Sequence, residues 1–266
     1  MQTPFDKIAL AYDELFTNSA IGKLQRNIIW KYLDESLPTN KKINILELNC
    51  GTGEDAVYFA KKGFSVVATD ISDDMLKLTK EKISKYGLEK NCSTRKLDLE
   101  NPDEFNFKQK FDLVFSNFGG LNCVDKKSLK NLSLFISSIL NDKGRIIFVL
   151  MPKFCLWESF YFLLKLKFSS VFRRASTKSL NVQINGGIVQ TFYYSPKDIV
   201  NMFGNKFKFR NIKPVGFFIP PSFLNKFFLK KKKALRMLNS FENPASNISF
   251  LAKFSDHFLI DMELKR

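Results

Sequence analysis

Through the first 150 residues, short apolar runs of strand length alternate with segments of helical period. Ile43–Leu48, Phe64–Thr69, a run ending Lys96-Leu97-Asp98-Leu99, Phe111–Asn117 and Lys143–Leu150 read as five strands, with helices between them. This alternation predicts an α/β fold with a doubly wound parallel sheet, whose ligands bind beyond the carboxyl ends of the strands. Asn49, Asp70, Asp98 and Asn117 fall on that rim, each a polar residue closing an apolar strand. Ahead of the sheet, Phe5–Phe16 and Ile21–Leu33 read as two helices, the second with a stripe of Leu24, Ile28, Tyr32 and Leu33.

Beyond the fifth strand the pattern changes. Phe154–Phe172 has helical period but is apolar nearly all round, so it needs cover on both sides or lies at a membrane interface with its lysines snorkelling. Ile188–Tyr194 reads as a short strand, and Ser195-Pro196 as an N-cap followed by the first position of a helix running to Phe203. A sixth strand over Phe207–Phe218, an inserted segment over Phe223–Phe241 and a last strand over Phe254–Leu264 complete the chain.

The chemistry begins at Asn49-Cys50-Gly51-Thr52-Gly53. Glycines let backbone approach a ligand, a helix N-terminus offers free N–H groups, and a carboxylate such as Asp70 accepts from ribose hydroxyls. Such a unit suits an adenosine-containing cofactor. Read as Gly51-x-Gly53-x-x-Ala56, the turn fits a nicotinamide dinucleotide oxidoreductase. Read from Glu47, with Asn49 in place of the first glycine, it resembles motif I of the class I S-adenosylmethionine-dependent methyltransferases; asparagine tolerates the positive φ required. Ile71-Ser72-Asp73-Asp74, Asp98-Leu99 and Asn117-Phe118-Gly119-Gly120 are similar to the family's later motifs, in the same order. Phe5–Phe16 is similar to the lid helix of the ubiquinone/menaquinone-type branch, where the residue matching Tyr12 lies over the cofactor.

The resemblance implies a Rossmann-like seven-stranded sheet with an antiparallel last strand, N-terminal lid helices and a helical cap. It divides one domain into lid 1–40, cofactor core 41–152, basic aromatic cap with the sixth strand 153–250, and last strand 251–266. It implies S-adenosyl-L-methionine as cofactor, held by Tyr12, Glu47, Asn49, Cys50, Gly51, Gly53, Asp70, Ile71, Asp98, Leu99, Asn117 and Phe118. Several motifs in the family's order are more specific than one glycine turn, so the oxidoreductase is the weaker reading.

Charge sharpens the division. Residues 1–150 hold 22 Lys/Arg against 20 Asp/Glu, a net of +2, whereas residues 151–266 hold 20 against 6, a net of +14. The basic half is a solvated face, a contact for anionic membrane, or a nucleic-acid surface. The last is disfavoured, because no RNA-binding module accompanies it and the fourth motif reads Asn-Phe-Gly-Gly. A non-catalytic cofactor-binding module docking to membranes through the cap is the remaining alternative. The expected acceptor is a small lipophilic or anionic molecule. No leader-like or spanning stretch appears and the four cysteines are dispersed, so the expectation is a cytoplasmic enzyme, peripheral at most, with no metal site. The single histidine, His257, opens the last strand on the ligand rim and is the candidate general base, ahead of Tyr193, Tyr194 and Glu158.

Overall fold

The strand–helix alternation resolves into one seven-stranded sheet in the computed structural model, which describes residues 3–38, 40–102, 105–184 and 187–266. The strands are β1 (Asn44–Leu48), β2 (Ser65–Asp70), β3 (Cys92–Lys96), β4 (Phe111–Ser116), β5 (Leu140–Leu150), β6 (Leu180–Ile184), β7 (Gly187–Thr191), β8 (Phe207–Val215) and β9 (His257–Leu264). The sheet order is β3-β2-β1-β4-β5-β9-β8, with β6 and β7 pairing apart as an antiparallel hairpin. Pairings from β3 through β5 are parallel, and β9 runs antiparallel to both its neighbours. This is the Rossmann-like arrangement expected, with a reversal between β1 and β4 that opens a crevice at their carboxyl ends.

Helices cover both faces of the sheet: α1 (Ala9–Tyr12), α2 (Ala20–Ser36), α3 (Glu54–Lys61), α4 (Asp73–Lys85), α5 (Lys126–Ile139), α6 (Leu156–Leu164), α7 (Pro196–Phe203), α8 (Asn225–Leu229) and α9 (Lys232–Ala245). Leu46, Val114, Phe148 and Ile260 join a cluster with α5 and α7, while Ile45, Phe115, Ile147 and Leu259 join one with α2 and α3. The central strands are buried on both sides, so they appear in sequence as unbroken apolar runs. The helix after Ser195 forms as read, and Asp198 completes a capping box with the Ser195 backbone and hydroxyl.

Four expectations need correction. The apolar segment over Phe154–Phe172 is not one helix: α6 ends at Leu164, and Leu166 takes φ +55° before two 3₁₀ turns. The chain folds back because Glu158, buried on α6, binds Arg173 at 2.7 Å and Arg174 at 2.8 Å. The expected strand over Ile188–Tyr194 is the second arm of a hairpin whose first arm, β6, was not expected although it carries an alternating Leu-Asn-Val-Gln-Ile pattern. The buried side of α2 includes Gln25 and Arg26, which the purely apolar stripe left out.

The sixth strand stops at Val215 and does not reach Phe218, because the backbone turns to serve a carboxylate. Glu242 of α9 is fully buried and accepts the N–H groups of Gly216, Phe217, Phe218 and Ile219 at 2.6–3.1 Å. Burial raises its pKa even against those four donors. This one side chain fastens the cap to the end of β8. Glu242→Ala strands four inward-facing donors, and an unmet buried donor costs about 1–3 kcal/mol. Denaturant unfolding is expected to show a loss of at least about 3 kcal/mol; a loss below about 1 kcal/mol would contradict this role for Glu242.

Candidate active site

β1 delivers Asn49 at φ +54° and Gly51 at φ +54°, and Gly53 at φ +80° then opens α3. These residues differ in what their shape serves. A Cβ on Gly51 would meet nothing nearer than Tyr12 at 3.9 Å, so that side is open to a ligand. A Cβ on Gly53 would fall 2.6 Å from Thr79, so Gly53 admits α4 and not a ligand. Cys50 also faces Thr79, and burial pushes its thiol well up.

β2 delivers Asp70, whose carboxylate accepts from Gly51 N at 2.9 Å and Ser72 N at 3.0 Å. Burial pushes Asp70 up to about 6, with the two N–H groups pulling the other way. Asp98, beyond β3, accepts from Glu100 N at 2.9 Å and Asn101 Nδ2 at 3.0 Å. Beyond β4, Asn117 donates to Asp55 at 2.9 Å, and Phe118 and Gly119 take φ +47° and +74°. A positive φ on a bulky aromatic is a strained backbone, held only where surroundings over-determine it. Here the Phe118 ring meets Phe16 at 4.7 Å, Arg26 at 4.9 Å and His257 at 5.6 Å.

The turns after β1 and β4 interlock. A Cβ on Gly120 would lie 2.5 Å from the Asn49 Cβ. Two further segments roof the crevice. The N-terminal lid is tied down by Asp6, which accepts from Ser72 Oγ, and by Asp13, which binds Thr52 Oγ1 and lies 3.0 Å from Lys82 Nζ. The β6–β7 hairpin is held at its exit by Asn122. Its side chain donates to Met151 O and Phe192 O, accepts from Met151 N, and is wholly buried.

The cleft between these segments measures about 410 Å³, within the range of small-molecule sites. Tyr12, Asn49, Gly51, Asp70, Ile71, Asp98, Leu99, Asn117 and Phe118 all line it. Glu47, Cys50 and Gly53 do not: Glu47 is buried under the turn, where loss of solvent and nearby Asp55 raise its pKa. His257 does not line it either, lying behind Phe118 with Nδ1 3.3 Å from Asp256. Glu158 is spent on its arginines, Tyr194 Oη donates to Val124 O, and Tyr193 packs under Arg174. Sequence reasoning missed the apolar wall of Phe5, Ile8, Met75, Met151 and Val189, which no local motif marks. It also missed Asn122, for which a lone amide in an apolar stretch is the available signal.

Residues 45–144 match a family model described as a methyltransferase domain. The chain is 28% identical over 256 residues to an uncharacterised protein of Methanocaldococcus jannaschii, covering 94% of this chain and 88% of that one. It is 30% identical over 151 residues to a ubiquinone/menaquinone biosynthesis C-methyltransferase of Proteus mirabilis, covering 54% of this chain and 55% of that enzyme. Its fold matches magnesium protoporphyrin IX methyltransferase of Synechocystis, solved with S-adenosylhomocysteine, at a TM-score of 0.58 and 14% identity over 98% of this chain and 94% of that one. The chain carries a methyltransferase domain, resembles the class I S-adenosylmethionine-dependent methyltransferases in motif order and fold, and is an enzyme that uses S-adenosylmethionine. Among the described residues, no helix is long and apolar enough to cross a membrane.

Gly120→Ala drives a methyl group into Asn49, a misfit worth about 1–3 kcal/mol. Calorimetry is expected to show roughly tenfold or greater loss of S-adenosylmethionine affinity; unchanged affinity would show that the two turns are not coupled. Asp70 gives a second expectation. Its folded pKa of about 6 lies above the ordinary carboxyl value near ~3.9, so its contribution to stability is fully present below ~3.9 and is lost as pH rises through about 6. The stability of Asp70→Asn relative to the parent should therefore climb between pH ~4 and ~7.5, by an amount on the order of 3 kcal/mol. A difference independent of pH would contradict the burial of that charge.

Proposed function

We propose that the enzyme methylates a small lipophilic acceptor that is anionic or carries an activated carbon, drawn from an anionic membrane with which the cap makes peripheral contact. The carrying observation is the cavity itself, with Asn49, Asp70, Asp98 and Asn117 at the strand ends and an apolar remaining wall. In this reading Asp70 accepts from the ribose hydroxyls, and Asp98 from the adenine amino group between Ile71 and Leu99. Asn49 and Gly51 let the methionyl backbone pass close, under Tyr12. Asn117 and Phe118 border the reacting end. Glu47, Cys50 and Gly53 act indirectly, by setting the turn. The chain works as one domain, with lid, core, cap and last strand serving a single cavity.

S-adenosylmethionine supplies an electrophilic methyl carbon, so the protein has to align the acceptor and exclude water. Of the carboxylates on the lining, Asp70 and Asp98 serve the cofactor in this reading and Glu100 is exposed to solvent. Burial pushes Cys123 and Tyr12 each up to about 12, so both stay protonated near neutrality. An acceptor that arrives already nucleophilic fits such a wall, which is why an anionic or activated-carbon acceptor is favoured. The name of the Proteus relative, a quinone-pathway C-methyltransferase, supports the same class.

Calorimetric titration with S-adenosylmethionine, S-adenosylhomocysteine and NAD tests the cofactor half. Both sulfur compounds should bind and NAD should not, and Asp70→Ala should weaken them by about a hundredfold, as expected for two hydrogen bonds to a charged group. Binding of NAD alone, or an Asp70→Ala variant with parental affinity, would contradict the assignment.

A further inference from the structure

α6 is built inside out. Its one buried residue is a charge, Glu158, while apolar side chains stand in solvent. Leu164, Leu166 and Phe168 are exposed to 67%, 74% and 64% at the tip, which reads Leu-Leu-Lys-Leu-Lys-Phe over residues 163–168. The arrangement is enforced from within. Glu158 is held below its usual range, against burial, by Arg173 and Arg174, and Arg174 also binds Asp256 at 3.0 Å. Turning the helix over to hide its leucines would break this buried network.

The neighbouring segment continues the same surface. Tyr161 of α6 meets Phe223 at 5.2 Å, and Trp157 meets Phe228 of α8 at 6.0 Å. Phe223 and Phe227 are half exposed beside them, with Lys231 Nζ 4.7 Å above the Phe227 ring. Lys226 and the run Lys230–Lys233 are exposed along this edge, and Lys165 and Lys167 interrupt the apolar tip. Apolar rings and leucines among lysines form the pattern of an interfacial surface, with carbon buried to the headgroup level and amines at the phosphates.

We infer that the α6 tip and α8, with Lys230–Lys233, dock the enzyme on an anionic lipid surface. Charge decides between this and a second copy of the chain. A two-fold contact brings the same patch against itself and would set these lysines against their own kind. An anionic bilayer meets them with opposite charge. The inference names the surface that would supply a lipophilic acceptor, and to that extent it rests on the proposed function; docking itself needs no acceptor.

The test is flotation of the full chain with phosphatidylcholine vesicles, with and without phosphatidylglycerol, at low and high salt. The chain should float only with the anionic vesicles and be released by salt. Neutralising Lys230–Lys233 to Gln should lower partitioning by about tenfold or more. Leu166→Glu/Phe168→Glu should abolish it, and both variants should keep the parental heat of S-adenosylmethionine binding, which shows that they are folded. No flotation by the parent, equal flotation on neutral vesicles, or variants that float like the parent would overturn the inference. So would a parent that sediments as a dimer broken by Leu166→Glu/Phe168→Glu. A chain that floats but binds no S-adenosylmethionine would instead overturn the cofactor assignment and leave docking intact.

Discussion

The Asp70 carboxylate is the tie on which the site depends. It sits nearly dry at the end of β2, with one oxygen on Gly51 N and the other on Ser72 N. Those two bonds join the turn after β1 to the start of α4, and they hold a charge where burial opposes it. The turn then sets Asn49 against Gly120, two residues past the strained backbone at Phe118, whose ring is held by Phe16, Arg26 and His257. Under the proposed assignment, hydrogen bonds donated to Asp70 by a ribose would offset that cost.

A second tier of carboxylates, Glu158 and Glu242 buried and Asp6 and Asp13 partly buried, shapes the cover. Asp6 and Asp13 fasten the lid, Glu242 fastens the cap to β8, and Glu158 with Arg173 and Arg174 turns α6 outward. Each is a carboxylate met by several donors, the condition under which burying a charge is tolerated. Breaking any of these ties by removing one partner costs more than the pair contributes, so they act as locators of the segments around the cavity. The basic, aromatic half of the chain is thereby mounted rigidly while leaving its apolar side chains in solvent.

Most of the core was legible because its strands are buried on both faces and announce themselves as apolar runs, and because a polar residue closes each at the rim. The left-handed Asn49 and the Ser195-Pro196 helix start were legible for local reasons, backbone tolerance and capping chemistry. What was not legible depends on distant partners. α6 ends where Glu158 draws back its arginines. β6, by contrast, was legible as the alternating Leu180–Ile184 run before Asn185-Gly186 and was missed. Glu47, Cys50 and Gly53 sit in the motif but face away from the cavity, which spacing along a chain does not reveal. His257 stands on the expected rim, one aromatic ring away from the ligand space.

The central claim is that Asp70 is a buried carboxyl with a raised pKa, whose charged form a ribose-bearing ligand stabilises further. Carbon-detected NMR titration of the Asp70 carboxyl, with and without saturating S-adenosylhomocysteine, measures this directly. In the free enzyme the carboxyl should titrate near its raised value of about 6. With ligand bound it should shift downward, because hydrogen bonds to the charged form favour that form. A carboxyl that titrates at the same pH in both states would contradict the account.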